Sequence, residues 1–297
     1  MEIRKKTVYM EKGLNTLYIV PMLIIYAVLI IYPMFSIMKL SLYNKKVNGD
    51  MVFKGLQNFL DFFSNPDTPK IFTNTAVWVF VGVFFKLLLG LIIALVLYRN
   101  FFGKRLITVV MLIPYAMPAA VACVIWRLIY NPVFGQISQL LRDFGITDQA
   151  VNFLGNTKTS LLAVMIVNVW AVTPFVALNI LSVLYTIPHY IYEAASIDGA
   201  NYWRQFRKIT LPMIAPSIRT LGLLIGIWAF NSFDVIYMMT QGGPANSSAI
   251  LVNTVYDNAF RFNNRGYSAA VSVVSFIVLS IFSILYVRAK EVDVSYE

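Results

Sequence analysis

The sequence predicts an all-α, polytopic membrane protein with six transmembrane helices and a charged segment between two of them. Of its 297 residues, 59% are hydrophobic and only 13% are charged, whereas about a quarter of the residues in soluble domains are charged. The apolar residues are also gathered into runs of about twenty, which is the helix length that crosses a bilayer. We therefore treat lipid, rather than water, as the solvent for most of the chain.

Six apolar runs are long enough to cross the membrane. The predicted spans are, in chain order, residues 17–40, 72–98, 106–130, 159–185, 217–240 and 267–287. The third contains Pro114 and Pro118, and the fourth contains Pro174. An even number of spans places both termini on one side of the membrane.

The Lys and Arg residues of the loops predict the orientation. With the N-terminus inside, the inner segments carry thirteen of these bases and the outer segments nine. The loop 99–105 alone holds three. We expect a multi-pass membrane protein with a cytoplasmic tail over about 1–16, both termini cytoplasmic, and segment 186–212 on the same side. The outer loops are too short for an enzyme domain, although residues 247–260 can form a short surface helix.

Several classes of activity lack the residues they require. No Gly-x-x-x-x-Gly-Lys-Ser/Thr motif is present, because the single Gly-Lys pair, Gly103-Lys104, is followed by Arg105. The lone Cys123 excludes an intramolecular disulfide, and the lone His189 cannot build a metal site by itself. The net charge of +10 follows membrane topology rather than a nucleic-acid face. We expect no catalytic group, no metal, no cofactor on this chain and no nucleic-acid partner.

Charged residues inside predicted spans are functional candidates, because burying a charge in a membrane is costly. Lys86 is interpreted as a base that snorkels or pairs with another subunit, and Arg127 as one that snorkels from the end of its span. Asp234 lies within the fifth predicted span beside Asn231 and Ser232. Its carboxylate must face water, protein or a ligand, so both cavity lining and helix packing remain open.

Helical spacing defines two further faces. On the fourth span, spacings of i, i+4, i+7 and i+11 place four residues on one side: Asn168, Val172, Phe175 and Asn179. On the fifth span, spacings of i, i+3 and i+7 do the same for three residues: Ile225, Trp228 and Ser232. Amide, hydroxyl and aromatic groups suit a sugar site. The alternative is ordinary interhelical hydrogen bonding, worth about 0.6 kcal/mol per contact in membranes.

The charged segment YEAASIDGANYWRQFRKITLP, residues 192–212, differs from everything around it. Locally it predicts a short helix, a left-handed turn at Gly199 and a second short helix. Small side chains at Ala194 and Ala195 let another surface approach closely, and Glu193 offers a carboxylate to a basic partner. The segment therefore has the features of a docking surface.

The same segment carries the spacing on which a family resemblance depends. Glu193-Ala194-Ala195 is followed after three residues by Gly199, and after nine more by Ile-Thr-Leu-Pro at 209–212. It resembles the signature loop of permease subunits of binding-protein-dependent ABC importers. The stretches NPVFGQISQLL at 131–141, NFLG at 152–155 and MTQGGP at 239–244 are similar to the carbohydrate branch, of the maltose-permease large-subunit or glycerol-phosphate-permease type.

The resemblance implies an assembly and a mode of action. Residues 1–297 are expected to form a single importer transmembrane domain whose coupling helix, in 186–212, docks on a cytoplasmic ATPase. The expected partners are a second homologous permease, two ATP-binding cassette ATPases that hold ATP and Mg²⁺, an external binding protein and a sugar. Transport would proceed by alternating access across the bacterial cytoplasmic membrane. The docking residues it implies are Glu193, Ala194, Ala195, Asp198 and Gly199.

The resemblance also implies where a substrate would bind. Matching positions on the spans flanking the coupling loop are Val172, Phe175, Trp228, Ala229 and Ser232. Joined with their polar neighbours, the candidate substrate-binding set is Asn168, Val172, Phe175, Trp228, Ala229, Asn231, Ser232 and Asp234. A glycerol-phosphate or other polyol importer remains an alternative; it predicts a basic cavity, for which Lys86 and Arg127 are the intramembrane candidates. An ion-coupled secondary transporter would need more buried acids.

Overall fold

The computed structural model describes residues 19–45, 51–147 and 149–294, most of which are helical. The predicted tail over 1–16 lies outside the described residues. The helices are α1 Ile19–Leu40, α2 Gln57–Ser64, α3 Thr68–Tyr98, α4 Lys104–Ala116, α5 Ala119–Ile129, α6 Gln136–Asp143, α7 Ser160–Leu184, α8 His189–Ile197, α9 Tyr202–Phe230, α10 Asp234–Thr240, α11 Leu251–Tyr256 and α12 Arg265–Val294. The strands β1 Tyr43–Lys45 and β2 Met51–Phe53 form an antiparallel hairpin.

The all-α class and the membrane-spanning character are confirmed. Five helices, α1, α3, α7, α9 and α12, are each long and apolar enough to cross a membrane. A sixth crossing results when α4 and α5 are taken together as one broken span. The predicted surface helix within 247–260 is present as α11, which continues into a π-helical turn at Asp257–Arg261.

The prediction of one continuous third span over 106–130 is wrong. Helix α4 ends at Ala116, α5 begins at Ala119, and the two are bent by 96°. Met117, the residue before Pro118, has extended backbone angles (φ −76°, ψ 133°). A residue that precedes proline is pushed out of the helical region by the proline ring, so Pro118 accounts for the break. Pro114 lies inside α4 and is tolerated there.

The boundaries predicted for the fifth span are also wrong. Helix α9 starts at Tyr202 rather than near 217, and it includes a π-helical turn at Phe206–Thr210 just before Pro212. The second short helix predicted in the charged segment is therefore the first part of a membrane span. At its other end α9 stops at Phe230, and α10 begins at Asp234. Asp234 thus lies beyond a helix break rather than within a continuous helix.

The contacts of the chain fall into two compact units. The first unit combines the described residues up to Asn65 with Val255–Val274. Within it, the buried Asn58 donates its side-chain amide to the carbonyl oxygens of Ser41 and Tyr43, at 2.8 and 3.0 Å. These two bonds fasten α2 to the chain that follows α1.

The second unit contains Pro66–Thr254 and the chain from Ser275 onward. Its core lies where α3 packs along α7, with α9 against both. A Cβ added at Gly90 of α3 would lie 2.5 Å from Cγ1 of Val176 on α7, so only glycine permits the observed approach of the two helices. This packing brings the middle of α3 beside the faces of α7 and α9 that carry the predicted substrate residues.

Candidate functional site

The break between α9 and α10 borders a cavity of about 290 Å³. Its wall combines residues of α3, α7 and α9 with the start of α10: Lys86, Asn168, Val172, Ile225, Trp228, Ala229, Asn231, Ser232 and Asp234. Seven of the eight residues predicted for a substrate site are in this wall. The structure therefore brings together two faces that sequence spacing had defined separately.

Hydrogen bonds hold the irregular backbone at the cavity. The indole Nε1 of the fully buried Trp78 donates to the carbonyl oxygen of Ala229 at 3.1 Å, which ties the end of α9 to α3. The backbone N–H of Ser232 also donates to that carbonyl, at 3.1 Å. Non-helical backbone at membrane depth is tolerated only where protein surrounds it or where it lines a water-filled cavity. The break at Asn231–Phe233 satisfies this condition.

Phe175 is the predicted substrate residue that the cavity wall does not include. Its ring lies 5.2 Å from the ring of Trp228 and stacks on Tyr115 of α4 at 5.3 Å, with an interplanar angle of 28°. The three aromatic rings form a continuous series from α4 through α7 to α9. Phe175 therefore contacts Trp228 and limits its rotamers, while the half-exposed Trp228 borders the cavity.

The fourth residue of the predicted α7 face does not join the cavity. The side-chain amide of Asn179 donates to the carbonyl oxygen of Phe175 at 2.8 Å. Asn179 lines a different cavity, of about 380 Å³, together with Ser182 and Thr220. The face predicted from spacing is thus divided between two cavities, because the neighbouring helices change along the length of α7.

Lys86 does not snorkel to the bilayer surface, and its pairing with another subunit stays a prediction. Its side chain is only 2% exposed, and it lines the cavity instead of reaching the bilayer surface. Among the residues that the structure describes, neither its ammonium nor the carboxylate of Asp234 has a hydrogen-bond or ion-pair partner. Arg127, by contrast, is exposed on α5 and does not line this cavity.

The charged segment forms the predicted helix and turn. Helix α8 follows Pro188 and ends at Ile197, and Gly199 has the left-handed φ of +75° that its position predicted. Apart from the adjacent residues, no atom of the described chain would lie within 4 Å of a Cβ at Gly199, so backbone geometry alone favours glycine there. Asn201 then caps α9, since its side-chain oxygen accepts from the backbone N–H of Arg204 at 2.9 Å.

The predicted docking residues lie at the surface of this segment. Glu193, Ala194, Asp198 and Gly199 are exposed, and Ala195 is half-buried. Within the described chain the carboxylate of Glu193 has no hydrogen-bond or ion-pair partner.

Two large apolar side chains lie beside these residues. Ile197 is 87% exposed and Trp203 is 66% exposed. An unpaired carboxylate flanked by uncovered apolar side chains is the surface chemistry of a protein interface.

Basic loop 99–105 lies against the same segment. The guanidinium of Arg99 is 4.5 Å from the centre of the Tyr202 ring, a cation–π distance. Lys104 donates from Nζ to the hydroxyl of Tyr185 at 2.8 Å. Two of the segments that carry inner bases in the predicted topology are therefore next to each other in this unit.

Comparison with known proteins supplies the family. The family described as "binding-protein-dependent transport system inner membrane component" matches residues 86–291. The chain belongs to this family. It is therefore the multi-pass permease component of a binding-protein-dependent ABC transporter, which confirms the resemblance carried by the charged segment.

Relatives of the permease match nearly its full length. It is 32% identical over 287 residues to the trehalose/maltose transport system permease protein MalF of Thermococcus litoralis, which covers 96% of each chain. It is 31% identical over 281 residues to the trehalose transport system permease protein SugA of Mycobacterium tuberculosis, covering 94% of this chain and 89% of SugA.

A solved structure matches the fold. The permease aligns with a chain of a bacterial ABC transporter involved in the import of the acidic polysaccharide alginate, with a TM-score of 0.83 over 97% of this chain and 98% of the other. Sequence identity in that alignment is 17%, so the likeness shows the fold alone.

Proposed function

We propose that this permease is one half of an ATP-driven importer that moves a sugar or oligosaccharide by alternating access. The cavity at the break after α9 carries the proposal. Its wall offers the Asn168 amide, the Ser232 hydroxyl and the Trp228 indole, which are the groups that hold sugar hydroxyls and cover the C–H face of a ring. Relatives named for trehalose and maltose transport support this substrate class.

The cavity is open on one side in the single chain. Trp228, Asn231 and Asp234 all border it and are all exposed. A carboxylate and an amide at membrane depth cannot face lipid, because polar groups there need protein or water around them. A second, homologous permease subunit would complete the wall, and the substrate would then lie between the two subunits.

Two ATPase subunits would supply the energy, with ATP and Mg²⁺ bound there rather than on this chain. The exposed, unpaired carboxylate of Glu193 and the uncovered Ile197 and Trp203 support docking through the segment around α8. This segment would be cytoplasmic together with both termini. Its contact with the basic loop 99–105 supports that orientation, because cytoplasmic loops are enriched in Lys and Arg. An external binding protein would deliver the sugar from the other side.

The glycerol-phosphate alternative has less support from the cavity. That alternative requires a cavity wall with a net positive charge. Lys86 lines the cavity, but Asp234 lines it too, and Arg127 does not. The lining side chains therefore carry a formal charge of zero.

The test is uptake into proteoliposomes that contain this chain, its partner permease, the ATPase and the binding protein. Trp228→Ala should lower the turnover of the saturated complex about tenfold to a hundredfold, since its contact with the sugar is worth roughly 1–3 kcal/mol. Phe175→Ala should act in the same direction, because it removes the ring that packs against Trp228. Ser232→Ala should have a milder effect. Phe84→Ala is the matched control, because it removes an aromatic ring that is exposed on α3 and does not line the cavity.

Assembly of each variant is checked first by co-purification with the ATPase. Assembled Trp228→Ala and Phe175→Ala complexes that transport at the rate of Phe84→Ala, with unchanged preference among sugars, would contradict the assignment of the cavity.

A further inference from the structure

The cavity contains a buried cation for which the proposed function has no role so far. Lys86 lies near the middle of α3 and is 2% exposed, yet no described residue accepts a hydrogen bond from its ammonium. An ammonium without a partner is costly to bury, because it loses its hydration and gains no compensating interaction. Intramembrane charges of this kind mark substrate pathways.

The cavity also contains an anion without a partner. Asp234, at the start of α10, lines the same wall, and its carboxylate neither accepts a hydrogen bond from a described residue nor pairs with Lys86. Of the charged groups on the surrounding helices, Arg127 on α5 is exposed and outside the lining. The two charges therefore share one cavity without neutralising each other directly.

The two groups have opposite hydrogen-bonding chemistry. An ammonium only donates, and a carboxylate only accepts, whereas a hydroxyl group does both. A ring that bears several hydroxyls can accept from Lys86 and donate to Asp234 at the same time. A sugar carboxylate, phosphate or sulfonate would bring a second negative charge beside Asp234, and an amino sugar would bring a second positive charge beside Lys86.

We propose that Lys86 and Asp234 are specificity-determining contacts that together select an uncharged sugar. Lys86 donates to one hydroxyl of the sugar, and Asp234 accepts from another. The inference rests on the proposed function, because it assigns the substrate chemistry of the same cavity.

Direct binding tests this selection, since uptake would also be filtered by the binding protein. Labelled maltose and trehalose, and a disaccharide in which one maltose CH₂OH is oxidised to a carboxylate, are titrated against the permease–ATPase complex in nanodiscs without binding protein. The wild-type complex should prefer the neutral sugars. Asp234→Asn leaves the ammonium alone, and should shift the preference toward the acidic disaccharide by about tenfold or more, the size expected for a hydrogen bond to a charged group.

Two further variants separate recognition from folding. The double variant Lys86→Met/Asp234→Asn leaves no unpaired charge; it should co-purify with the ATPase, bind the neutral sugars about tenfold or more weakly, and gain no affinity for the acidic one. Arg127→Met removes an intramembrane charge outside the cavity and should leave the preference unchanged.

The outcomes are distinguishable. An assembled double variant that binds all three sugars as the wild type does, with Asp234→Asn also unchanged in preference, would overturn this inference and leave the proposed function intact. A wild-type preference for the acidic disaccharide would likewise overturn it. A wild-type complex that binds none of these sugars, and takes up none of them in the complete system, would contradict both the proposed function and this inference.

Discussion

Replacing Gly90 by alanine should destabilise the permease, although the same replacement at Gly82 should not. Both glycines are buried in α3 and face α7. A Cβ at Gly82 would lie 3.8 Å from the nearest atom, Cγ of Met165, which is ordinary van der Waals contact. At Gly90 it would lie 2.5 Å from Cγ1 and 2.9 Å from Cβ of Val176, and 3.2 Å from the backbone nitrogen of Ala177.

Two opposing contributions determine how much each replacement changes the free energy of unfolding. Alanine favours a helix interior over glycine by about 1 kcal/mol, and this gain applies at both positions. Overpacking a well-packed interface costs about 1–3 kcal/mol, and it applies only at Gly90. Val176 is β-branched and has essentially one rotamer in a helix, so it cannot rotate away cheaply. The free energies of unfolding of the two variants should therefore differ by about 1–3 kcal/mol.

Thermal unfolding of the purified complex in detergent measures this difference. Each kcal/mol corresponds to about 2–4 °C in melting temperature for a domain of this size, so Gly90→Ala should melt several degrees below Gly82→Ala. Val176→Ala removes Cγ1, so Gly90→Ala should lower the melting temperature less in a Val176→Ala background than in the wild type, a non-additive effect expected of residues in contact. Equal melting temperatures for Gly90→Ala and Gly82→Ala would refute the packing argument.

Three further predictions concern the charged segment. Glu193→Lys should abolish substrate-stimulated ATP hydrolysis in an assembled complex. Asp143→Lys, the same charge change on the exposed end of α6, should not. Equal ATPase activity of the two variants would contradict docking at α8. Gly199→Val and Gly103→Val should each lower the free energy of unfolding by about 1–2 kcal/mol, because both glycines have a positive φ (+75° and +80°). Only Gly199→Val should also uncouple ATP hydrolysis from transport. Asn201→Cys in a Cys123→Ala background should react with an impermeant thiol reagent only from the cytoplasmic side. Labelling of this cysteine from outside, in intact cells, would show that the proposed orientation is wrong.

Hydropathy predicted the spans well because crossing a bilayer requires a long apolar run, whatever the helix contacts. Hydropathy failed where a single residue determines whether the helix continues, bends or ends. A run of apolar residues over 106–130 does not reveal that Pro118 turns α5 by 96° away from α4. Nor does it show that the helix ends at Phe230 and restarts at Asp234.

The candidate site was predictable to the extent that its residues share a helix face. Spacing, the family resemblance and the polar neighbours of those positions together selected seven residues of the cavity wall. Lys86 was recognised as an intramembrane charge but was not assigned to this wall, because α3 is apolar on nearly every side and the sequence does not show which side packs against α7 and α9. Tyr115 was missed for a related reason: its stacking on Phe175 depends on the bend between α4 and α5, which hydropathy does not predict.

The binding of sugar in the cavity at the break after α9 is tested most directly by locating bound sugar in a cryo-electron microscopy structure of the complete importer. The complex would be trapped in an outward-facing state with its binding protein and transported sugar. We expect sugar density against Trp228, within hydrogen-bond distance of Asn168, Ser232, Lys86 and Asp234, with the partner permease closing the open side. Density held by the partner subunit alone, with the cavity of this chain empty or filled by its own side chains, would contradict it.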